Sequence, residues 1–309
     1  MMRSDPAPDT RQVELSGDPL TAALECPDSV LAIITGITGP SYRPLGEIMA
    51  FCGDRHVGSL SSGCIETDLA RHAQQSLQDG PRVVRYGEGS PWFDLQLPCG
   101  GGLEITLIPR PCPQLLAEIA EARARRQPVG LVVTHDLALR RGDPGATGPT
   151  ADGFRILLVP PPRFLIFGQG PEAAVFAGLV HAAGYPHLLL TPDPATIAQA
   201  EVTGAMTRLL HWPALPTDLA IDDRSAVILF FHDHDWEPPI LARALESPAF
   251  YIGAQGSLRA RDKRLASLRE RGVSDGLDRL KGPIGLIPSA RNPRVLAVSV
   301  LAEVLLAAA

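Results

Sequence analysis

The sequence RFLIFGQGPEA at residues 163–173 decides the fold. An apolar strand pattern over residues 163–167 leads into Gly168, Gly170 and Ala173, which have the spacing G-x-G-x-x-A. Between a strand and a helix, this spacing is the dinucleotide-binding fingerprint of a Rossmann fold. Its glycines permit a tight turn and bring a pyrophosphate close to the helix N-terminus. Asp193, 20 residues beyond Ala173, is placed to bond a ribose hydroxyl, whereas Glu172 within the turn opposes an anion.

Strand and helix patterns alternate from this turn to the C-terminus. The predicted strands cover residues 163–167, 188–191, 207–211, 226–232 and 250–252. The predicted helices cover residues 172–183, 195–201, 239–246, 258–271 and 294–306. Alternation of this kind is typical of a doubly wound parallel sheet, so residues 160–309 are predicted to form a Rossmann-like domain.

The first half of the chain has a different pattern, with many strands and few helices. The predicted strands cover residues 30–35, 47–52, 56–60, 81–86, 92–97, 103–109, 129–135 and 154–159. Helices are predicted at 67–77 and 113–126, a polar loop at 141–153, and a frayed lead-in at 1–18. This pattern predicts an α+β domain over residues 1–159. The run Pro160-Pro161-Pro162 is a semi-rigid spacer that marks the boundary.

Composition excludes several functional classes. The net charge of −6 gives no overall attraction to nucleic acid, and no apolar run reaches the ~18 residues that span a bilayer. The N-terminus has no apolar segment of the kind found in a secretory signal. Five cysteines without CxxC spacing indicate reduced thiols, so we expect a cytoplasmic protein.

Three glycine-rich turns in the first half carry reactive or charged residues. They are the turn at 39–46 with Ser41 and Arg43, the turn at 61–66 with Gly63, Cys64 and Glu66, and Cys99-Gly100-Gly101. Gly-rich turns can present backbone N–H groups to an anion, and an arginine can fork onto a phosphate. Cys64 precedes a predicted helix, where the dipole lowers the pKa of a thiol. The alternative interpretation of Cys64 is a buried structural cysteine.

Two further clusters lie in the second half. His232, Asp233, His234 and Asp235 follow the fourth strand, at the carboxyl edge where doubly wound sheets place ligands. They are candidates for metal binding or proton transfer, or else form a solvated loop. Arg259 belongs to a basic first turn of a predicted helix that Ser257 would cap. A basic first turn suits a phosphate site or a solvated charged face.

The order of these turns resembles the XdhC/CoxI family of xanthine dehydrogenase accessory proteins. The family pattern G-S-x-x-R-x-x-G-x-x-M is matched at Gly39, Arg43, Gly46 and Met49, with Pro40-Ser41 in the small-residue positions. The pattern S-G-G-C-[VI]-E is matched over residues 61–66, with Ser62 replacing a glycine, and C-G-G is matched at 99–101. The chain departs from the family at Pro171, where a histidine is usual, and at Phe231, where a threonine is usual.

The resemblance implies a chaperone for molybdenum cofactor, as molybdopterin or its cytosine dinucleotide form. Such a protein binds and protects the cofactor, supports exchange of its oxo ligand for sulfur with a cysteine desulfurase, and delivers it to a molybdenum hydroxylase. The resemblance implies that the cofactor-binding residues lie in the glycine-rich turns and at the Rossmann edge, at Ser41, Arg43, Gly63, Cys64, Glu66, Cys99, Gly100, Gly101, Gly168, Gly170, Asp193, His232 and Arg259. Cys64 is the predicted metal ligand, because thiolates are soft ligands. A homodimer is expected because closed dimers are the commonest oligomers.

Two other functions remain open at this stage. An NAD(P)-dependent oxidoreductase would rest on Gly168, Gly170, Ala173 and Asp193. A metal-dependent hydrolase would rest on His232, His234 and Asp235. A cofactor-binding chaperone remains the main hypothesis, ahead of an enzyme.

Overall fold

The protein is known from a computed structural model that describes residues 12–14, 17–61, 63, 65–88, 100–231 and 235–308. The chain divides into two compact units, Met1–Pro160 and Pro161–Ala309. No helix among the described residues is both long and apolar enough to cross a membrane.

The first unit contains a six-stranded sheet and a four-stranded sheet. Its strands are β1 (Gln12–Glu14), β2 (Val30–Thr38), β3 (Ile48–Cys52), β4 (Arg55–Val57), β5 (Arg82–Gly87), β6 (Gly102–Pro109), β7 (Val129–Thr134), β8 (Leu139–Gly142), β9 (Gly148–Thr150) and β10 (Gly153–Leu158). Its helices are α1 (Pro19–Glu25), α2 (Glu66–Asp79) and α3 (Pro113–Ala124). The larger sheet has the order β1-β4-β3-β2-β6-β5, and the smaller has the order β8-β7-β10-β9.

Strand β2 is the centre of this unit because both of its faces are buried. Val30, Ala32 and Ile34 pack in a core shared with α2. Leu31 and Ile33 face the opposite core, which contains residues of α1, α3 and the four-stranded sheet. The continuous apolar run that predicted this strand therefore reflects burial on both sides of the sheet.

The structure corrects two predictions in this unit. Residues 141–153 are not one polar loop, because β8 pairs with β7 and β9 pairs with β10, both antiparallel. Cross-strand pairing overrides the low strand propensity of this Gly- and Pro-rich segment. The predicted frayed lead-in contains β1, which pairs in parallel with β4. Helix α1 was not predicted, although Asp18 caps it and Pro19 begins it.

The second unit is a doubly wound sheet, as predicted. Its strands are β11 (Arg163–Gly168), β12 (His187–Thr191), β13 (Thr207–Leu209), β14 (Ser225–Phe230), β15 (Tyr251–Ala254) and β16 (Leu280–Lys281). Its helices are α4 (Pro171–Ala182), α5 (Pro194–Glu201), α6 (Glu237–Leu245), α7 (Leu258–Glu270) and α8 (Pro293–Ala308), with a 3₁₀ turn at Leu277–Arg279. All strand pairs are parallel, in the order β13-β12-β11-β14-β15-β16.

This strand order is that of a Rossmann fold, in which the first strand lies between the second and the fourth. The core residues of β11 alternate between the two faces of the sheet. Phe164 and Ile166 pack with α4 and α8 on one face. Leu165 and Phe167 pack with α6 and Leu268 of α7 on the other. Gly168 and Gly170 consequently lie at the carboxyl edge of β11, at the crevice where such sheets bind ligands.

Candidate functional site

The first and third glycine-rich turns lie together at one end of the β2–β6 pair. Thr38 at the end of β2 pairs with Gly102 at the start of β6, so the segments that follow and precede them are adjacent. A Cβ added to Gly101 would lie 2.0 Å from the carbonyl oxygen of Pro40. Only glycine permits this close approach. The sequence predicted Gly101 and Arg43 in separate glycine-rich turns, and the structure brings Gly101 against the backbone of the turn that contains Arg43.

The Arg43 turn is held by its own serine. The Ser41 hydroxyl donates to the carbonyl of Arg43 at 2.7 Å, and the Arg43 N–H donates back to that hydroxyl at 3.3 Å. Such serine–backbone bonds stabilise turns. The Arg43 side chain is exposed and forms no hydrogen bond or ion pair with the part of the chain that the structure describes. It is therefore available to an anionic ligand.

The Glu66 carboxylate organises the second turn. One oxygen, Oε1, accepts from the Ser61 N–H at 2.8 Å and from the Ser59 hydroxyl at 3.0 Å. The other, Oε2, accepts from the Ser61 hydroxyl at 2.6 Å and from the Ile65 N–H at 3.2 Å. The Ser59 hydroxyl also contacts the Ser61 carbonyl. These contacts tie both flanks of the turn to the first residue of α2.

The same contacts determine the ionisation of Glu66. Burial is the largest influence and raises the pKa of this carboxyl, but the hydrogen bonds from Ser61, from the backbone of Glu66 itself and from Ser59 together outweigh it. The net pKa is lowered, so the carboxylate is ionised at neutral pH. The helix N-terminus favours the same charge. With four donors bound to its carboxylate, Glu66 positions the two flanks of the turn.

Sequence analysis did not identify Ser59 and Ser61 as the partners of Glu66. The signal was present, since serines shortly before a helix that starts with glutamate often belong to a capping arrangement. Gly63 in this turn is exposed and has φ +92°, a conformation that favours glycine. Gly100 in the third turn is likewise exposed, with φ +72°.

Several predicted site residues lie outside the described residues. They are Cys64 and Cys99 of the first unit and His232, Asp233 and His234 of the second. Among the residues that the structure does describe, no group of three or more His, Cys, Asp or Glu is arranged to hold a metal ion. The proposals that concern Cys64, Cys99 and His232 therefore rest on sequence.

The Rossmann turn uses its backbone donors internally. The Gly170 N–H donates to the Thr196 hydroxyl at 2.8 Å, and the Gln169 N–H donates to the Phe230 carbonyl at 3.3 Å. Pro171 at the first helical position has no N–H. The Glu172 carboxylate folds back towards the turn, with Oε2 3.6 Å from where a Cβ on Gly170 would lie. An acidic group is thus close to the place where the fold would receive a pyrophosphate.

Asp193 is also engaged within the chain, as the N-cap of α5. Its carboxylate accepts from the Thr196 hydroxyl at 2.6 Å and from the N–H groups of Ala195 and Thr196 at 3.1 Å each. The Thr196 hydroxyl bond is the main reason that the pKa of Asp193 is lowered. Gly170 and Asp193, which a dinucleotide would use at the turn and at the ribose, are therefore both hydrogen-bonded to Thr196.

The carboxyl edge near β15 is held by a buried ion pair. Arg264 of α7 binds both carboxylate oxygens of Glu237, at 2.9 and 2.8 Å, and also donates to the Gln255 carbonyl at 2.8 Å. Ser257 caps α7 through Ala260 N–H at 3.2 Å, as predicted. Arg259, one turn earlier on α7 than Arg264, has an exposed side chain that forms no hydrogen bond or ion pair with the described residues. The structure does not connect it with Gly168, Gly170 or Asp193.

Comparison with known proteins decides the family. Residues 28–87 match the model of the XdhC and CoxI family, and residues 164–304 match the model of the XdhC Rossmann domain. The chain is 37% identical to the molybdenum cofactor insertion chaperone PaoD of Escherichia coli, over 89% of this chain and 82% of that protein. This chain belongs to the XdhC and CoxI family.

Two other relatives extend along nearly the whole length of this XdhC/CoxI family member. This chain is 23% identical to a Bacillus subtilis protein that is described as a probable subunit of xanthine dehydrogenase. The match covers 90% of this chain and 92% of that protein. A crystal structure of a Bacillus halodurans protein described as a xanthine dehydrogenase superposes with a TM-score of 0.74 at 24% identity, covering 93% of each chain. The second comparison establishes the fold alone.

Proposed function

We propose that this chain is a molybdenum-cofactor chaperone that binds the cofactor as cargo and delivers it to a molybdenum hydroxylase. The observation that carries this proposal is the 37% identity to a molybdenum cofactor insertion chaperone over most of both chains. The packing of Gly101 against the Pro40 carbonyl supports it, because this contact brings the turn that contains Arg43 next to Gly101.

The cargo would be held mainly by the first unit. Arg43 offers an exposed guanidinium to a phosphate, which is a planar fork suited to such an oxyanion. Ser41 fixes the backbone beside Arg43, and Gly63, Gly100 and Gly101 shape the turns. On the basis of sequence, we assign contact with molybdenum to the Cys64 thiolate and a supporting role in cofactor binding to Cys99. Glu66 holds the flanks of the turn at 61–66 through Ser59 and Ser61.

Sulfuration, partners and location complete the proposal. A cargo protein that supports replacement of an oxo ligand by sulfur would dock a cysteine desulfurase and then the client hydroxylase. The cargo would be molybdopterin or its cytosine dinucleotide form. Cytoplasmic location fits the number and spacing of the cysteines. A homodimer is proposed in addition, and its support lies in the outer face of α8, considered below.

The maturation role is tested in cells of the source organism that lack this chain. Molybdenum hydroxylase activity should fall strongly while the amount of hydroxylase polypeptide and total cellular molybdopterin stay unchanged. Restoring the chain should restore activity, and restoring a Cys64→Ala chain should not. Full hydroxylase activity without this chain would contradict the proposal.

A dinucleotide-dependent oxidoreductase is the second candidate, and the Rossmann strand order is the observation that favours it. Its weakness is that Gly170 and Asp193 are both bound to Thr196. Titration with NAD(H) and NADP(H) separates the two functions, because an oxidoreductase must bind one of these cofactors saturably.

A further inference from the structure

The first unit contains a pocket of about 430 Å³, lined in part by the end of the first glycine-rich turn. It lies between the start of α1, the 43–48 segment, Gly58-Ser59 and the end of β10. Its volume is within the ordinary range of small-molecule sites. Much of its lining is aliphatic, from Leu20, Leu45, Ile48, Ile156, Leu157, Leu158 and Val159. Arg43 is the single residue of the predicted site that lines it.

Four charged side chains line the pocket, and two of them are already paired. Arg123 donates to Asp18 at 2.6 Å, and Asp18 also caps α1 through the Thr21 N–H at 3.0 Å. Arg43 and Glu47 differ from this pair. Within the part of the chain that the structure describes, neither of these two side chains forms a hydrogen bond or an ion pair. The pocket therefore presents a guanidinium and a carboxylate that attract each other electrostatically but are not hydrogen-bonded within the described part of the chain.

The Glu47 carboxylate is half-buried. Burial raises the pKa of Glu47, and the positive charge of Arg43 offsets this only in part. A desolvated carboxylate without a hydrogen-bond donor is unfavourable in the folded protein. Perturbed groups of this kind in a cleft mark candidate ligand sites, and a ligand that supplied donors would relieve the cost.

The two free groups define the chemistry of the ligand. A carboxylate is an acceptor with two oxygens, so it matches two adjacent N–H donors on one edge of a planar ring. A guanidinium matches a phosphate. The pterin of molybdenum cofactor has such a donor pair, formed by its ring N3–H and its 2-amino group, and the cofactor also carries a phosphate. The cytosine edge presents one donor beside a lone pair, which a carboxylate would repel.

We propose that this pocket receives the pterin end of the cargo, with Glu47 accepting from the N3–H and 2-amino group and Arg43 holding the phosphate. The inference rests on the proposed function and specifies which part of the cargo each residue recognises. Ser59 links the two regions, since it lines the pocket and also donates to Glu66 at 3.0 Å. Glu47 is thereby a specificity-determining residue that sequence analysis missed.

The test compares two ring systems that differ at one group. Purified full-length protein is titrated with 6-hydroxymethylpterin and with 6-hydroxymethyllumazine, which carries a carbonyl oxygen in place of the 2-amino group. The wild type should bind the pterin at least tenfold more tightly, because a charged hydrogen bond is replaced by repulsion. In Glu47→Gln the preference should fall to within about twofold, because an amide can also donate to that oxygen. Glu118→Gln, the same change on the exposed face of α3, should keep the preference.

The outcomes separate this inference from the proposed function. Glu47→Gln should fold about as stably as wild type, because the amide loses the attraction to Arg43 but also removes the larger cost of burying a charge, and no hydrogen bond to the described residues is lost. Absence of pterin binding, or equal preference in Glu47→Gln and wild type, would overturn the pocket assignment. Cargo content of protein from a cofactor-producing host is measured in parallel. Cargo retained by wild type and by Glu47→Gln alike would leave the chaperone role standing and refute the pocket, whereas absence of cargo from wild type would refute the chaperone role.

Discussion

At the scale of single residues, one carboxylate determines the shape of the second glycine-rich turn. The side chain of Glu66 is bound by two hydroxyl groups and two backbone N–H groups within the chain. The resemblance implied that Glu66 is one of the cofactor-binding residues. Its actual contacts depend on how the 59–65 segment folds, which spacing alone does not specify. The burial of Glu47 is likewise not specified by sequence spacing, because it depends on the segments that come together to form the pocket.

Replacement of Glu66 by glutamine should destabilise the protein by about 2 kcal/mol, because hydrogen bonds to a buried charged group are lost or reversed. An amide nitrogen would face the N–H donors of Ser61 or Ile65. Urea unfolding at pH 7 measures the change. Glu118→Gln on the exposed face of α3 is the matched control and should stay within about 0.5 kcal/mol of wild type.

The contribution of Glu66 should depend on pH in a definite direction. The pKa of Glu66 is lowered in the folded protein, so its stabilisation is complete above the ordinary glutamate value of about 4.3. It is lost as the pH falls through the lower folded value. The stability difference between wild type and Glu66→Gln should therefore be constant from pH 7 to pH 5 and shrink below about pH 4. A difference that grew on acidification would contradict the assigned hydrogen bonds.

At the scale of elements, the alternating patterns predicted the strands and helices of the Rossmann sheet because each one is long and regularly apolar. The same patterns did not predict the strands within residues 141–153, because β8 and β9 are short edge strands that are stabilised by pairing with β7 and β10. The fingerprint at 168–173 predicted the strand–turn–helix correctly. It did not reveal that Thr196, on the next helix, binds both Gly170 and Asp193.

Gly101→Ala should disrupt the contact between the first and third turns. The added Cβ would lie 2.0 Å from the Pro40 carbonyl oxygen, so the backbone must shift, at a cost of about 1–3 kcal/mol. Cargo retention should fall together with thermal stability. Gly272→Ala is the control for a loss of stability alone, since its φ of +83° strains an alanine there while no atom lies within 4 Å of the added Cβ, and it should keep the cargo. Equal retention of cargo in Gly101→Ala and wild type would separate this contact from function.

The Rossmann turn should not bind a dinucleotide in the wild-type protein. Calorimetric titration with NAD(H) and NADP(H) should show no saturable binding at millimolar concentrations, because the donors of the turn and Asp193 are engaged internally. The double variant Thr196→Val/Glu172→Gln frees the Gly170 N–H and removes a negative charge. It should therefore bind NAD(H) or NADP(H) more tightly than the wild type. Saturable micromolar binding by the wild type would instead favour the oxidoreductase.

At the scale of the whole molecule, α8 presents an apolar surface that the fold leaves exposed. Val295, Val298 and Leu306 on this helix are 42%, 56% and 69% exposed. Leu286 and Ile287 are also exposed and lie beside this helix. Their backbone N–H groups donate to the carbonyl and to the hydroxyl of Ser299, respectively. The helix is 16 residues long, about 24 Å, and apolar on both sides, as is usual for a helix covered by a partner. Arg294 is also exposed on this helix, near its N-terminal end. The exposed apolar side chains nevertheless make this face the candidate surface for a second copy across a two-fold axis.

Val298→Glu should convert the proposed dimer to a monomer, because the substitution places a charge in the centre of that face. Analytical ultracentrifugation across a concentration series measures the oligomeric state. Leu258→Glu, at another exposed apolar position that is 63% accessible, should remain dimeric. A wild type that is monomeric at every concentration would refute the dimer without affecting the cargo site.

Family membership and the two-unit organisation could both be anticipated from the order of the motifs, because each motif requires particular residue types at fixed spacing. The pocket around Glu47 and the closed turn at Gly170 could not, because they arise where segments distant in sequence meet. The partners of Glu66 lie within seven residues of it, but which groups bind it depends on how that short segment folds.

The most direct measurement of the central claim is the molybdopterin content of the chain itself. Full-length wild type, Cys64→Ala and Glu118→Gln are purified from the same cofactor-producing host, and the pterin released from each is identified by mass spectrometry and quantified per chain. We predict that wild type and Glu118→Gln carry molybdopterin or its cytosine dinucleotide form, and that Cys64→Ala carries several-fold less at equal thermal stability. Wild type with no more pterin than Cys64→Ala would contradict the role of Cys64, and wild type with none would contradict the chaperone itself.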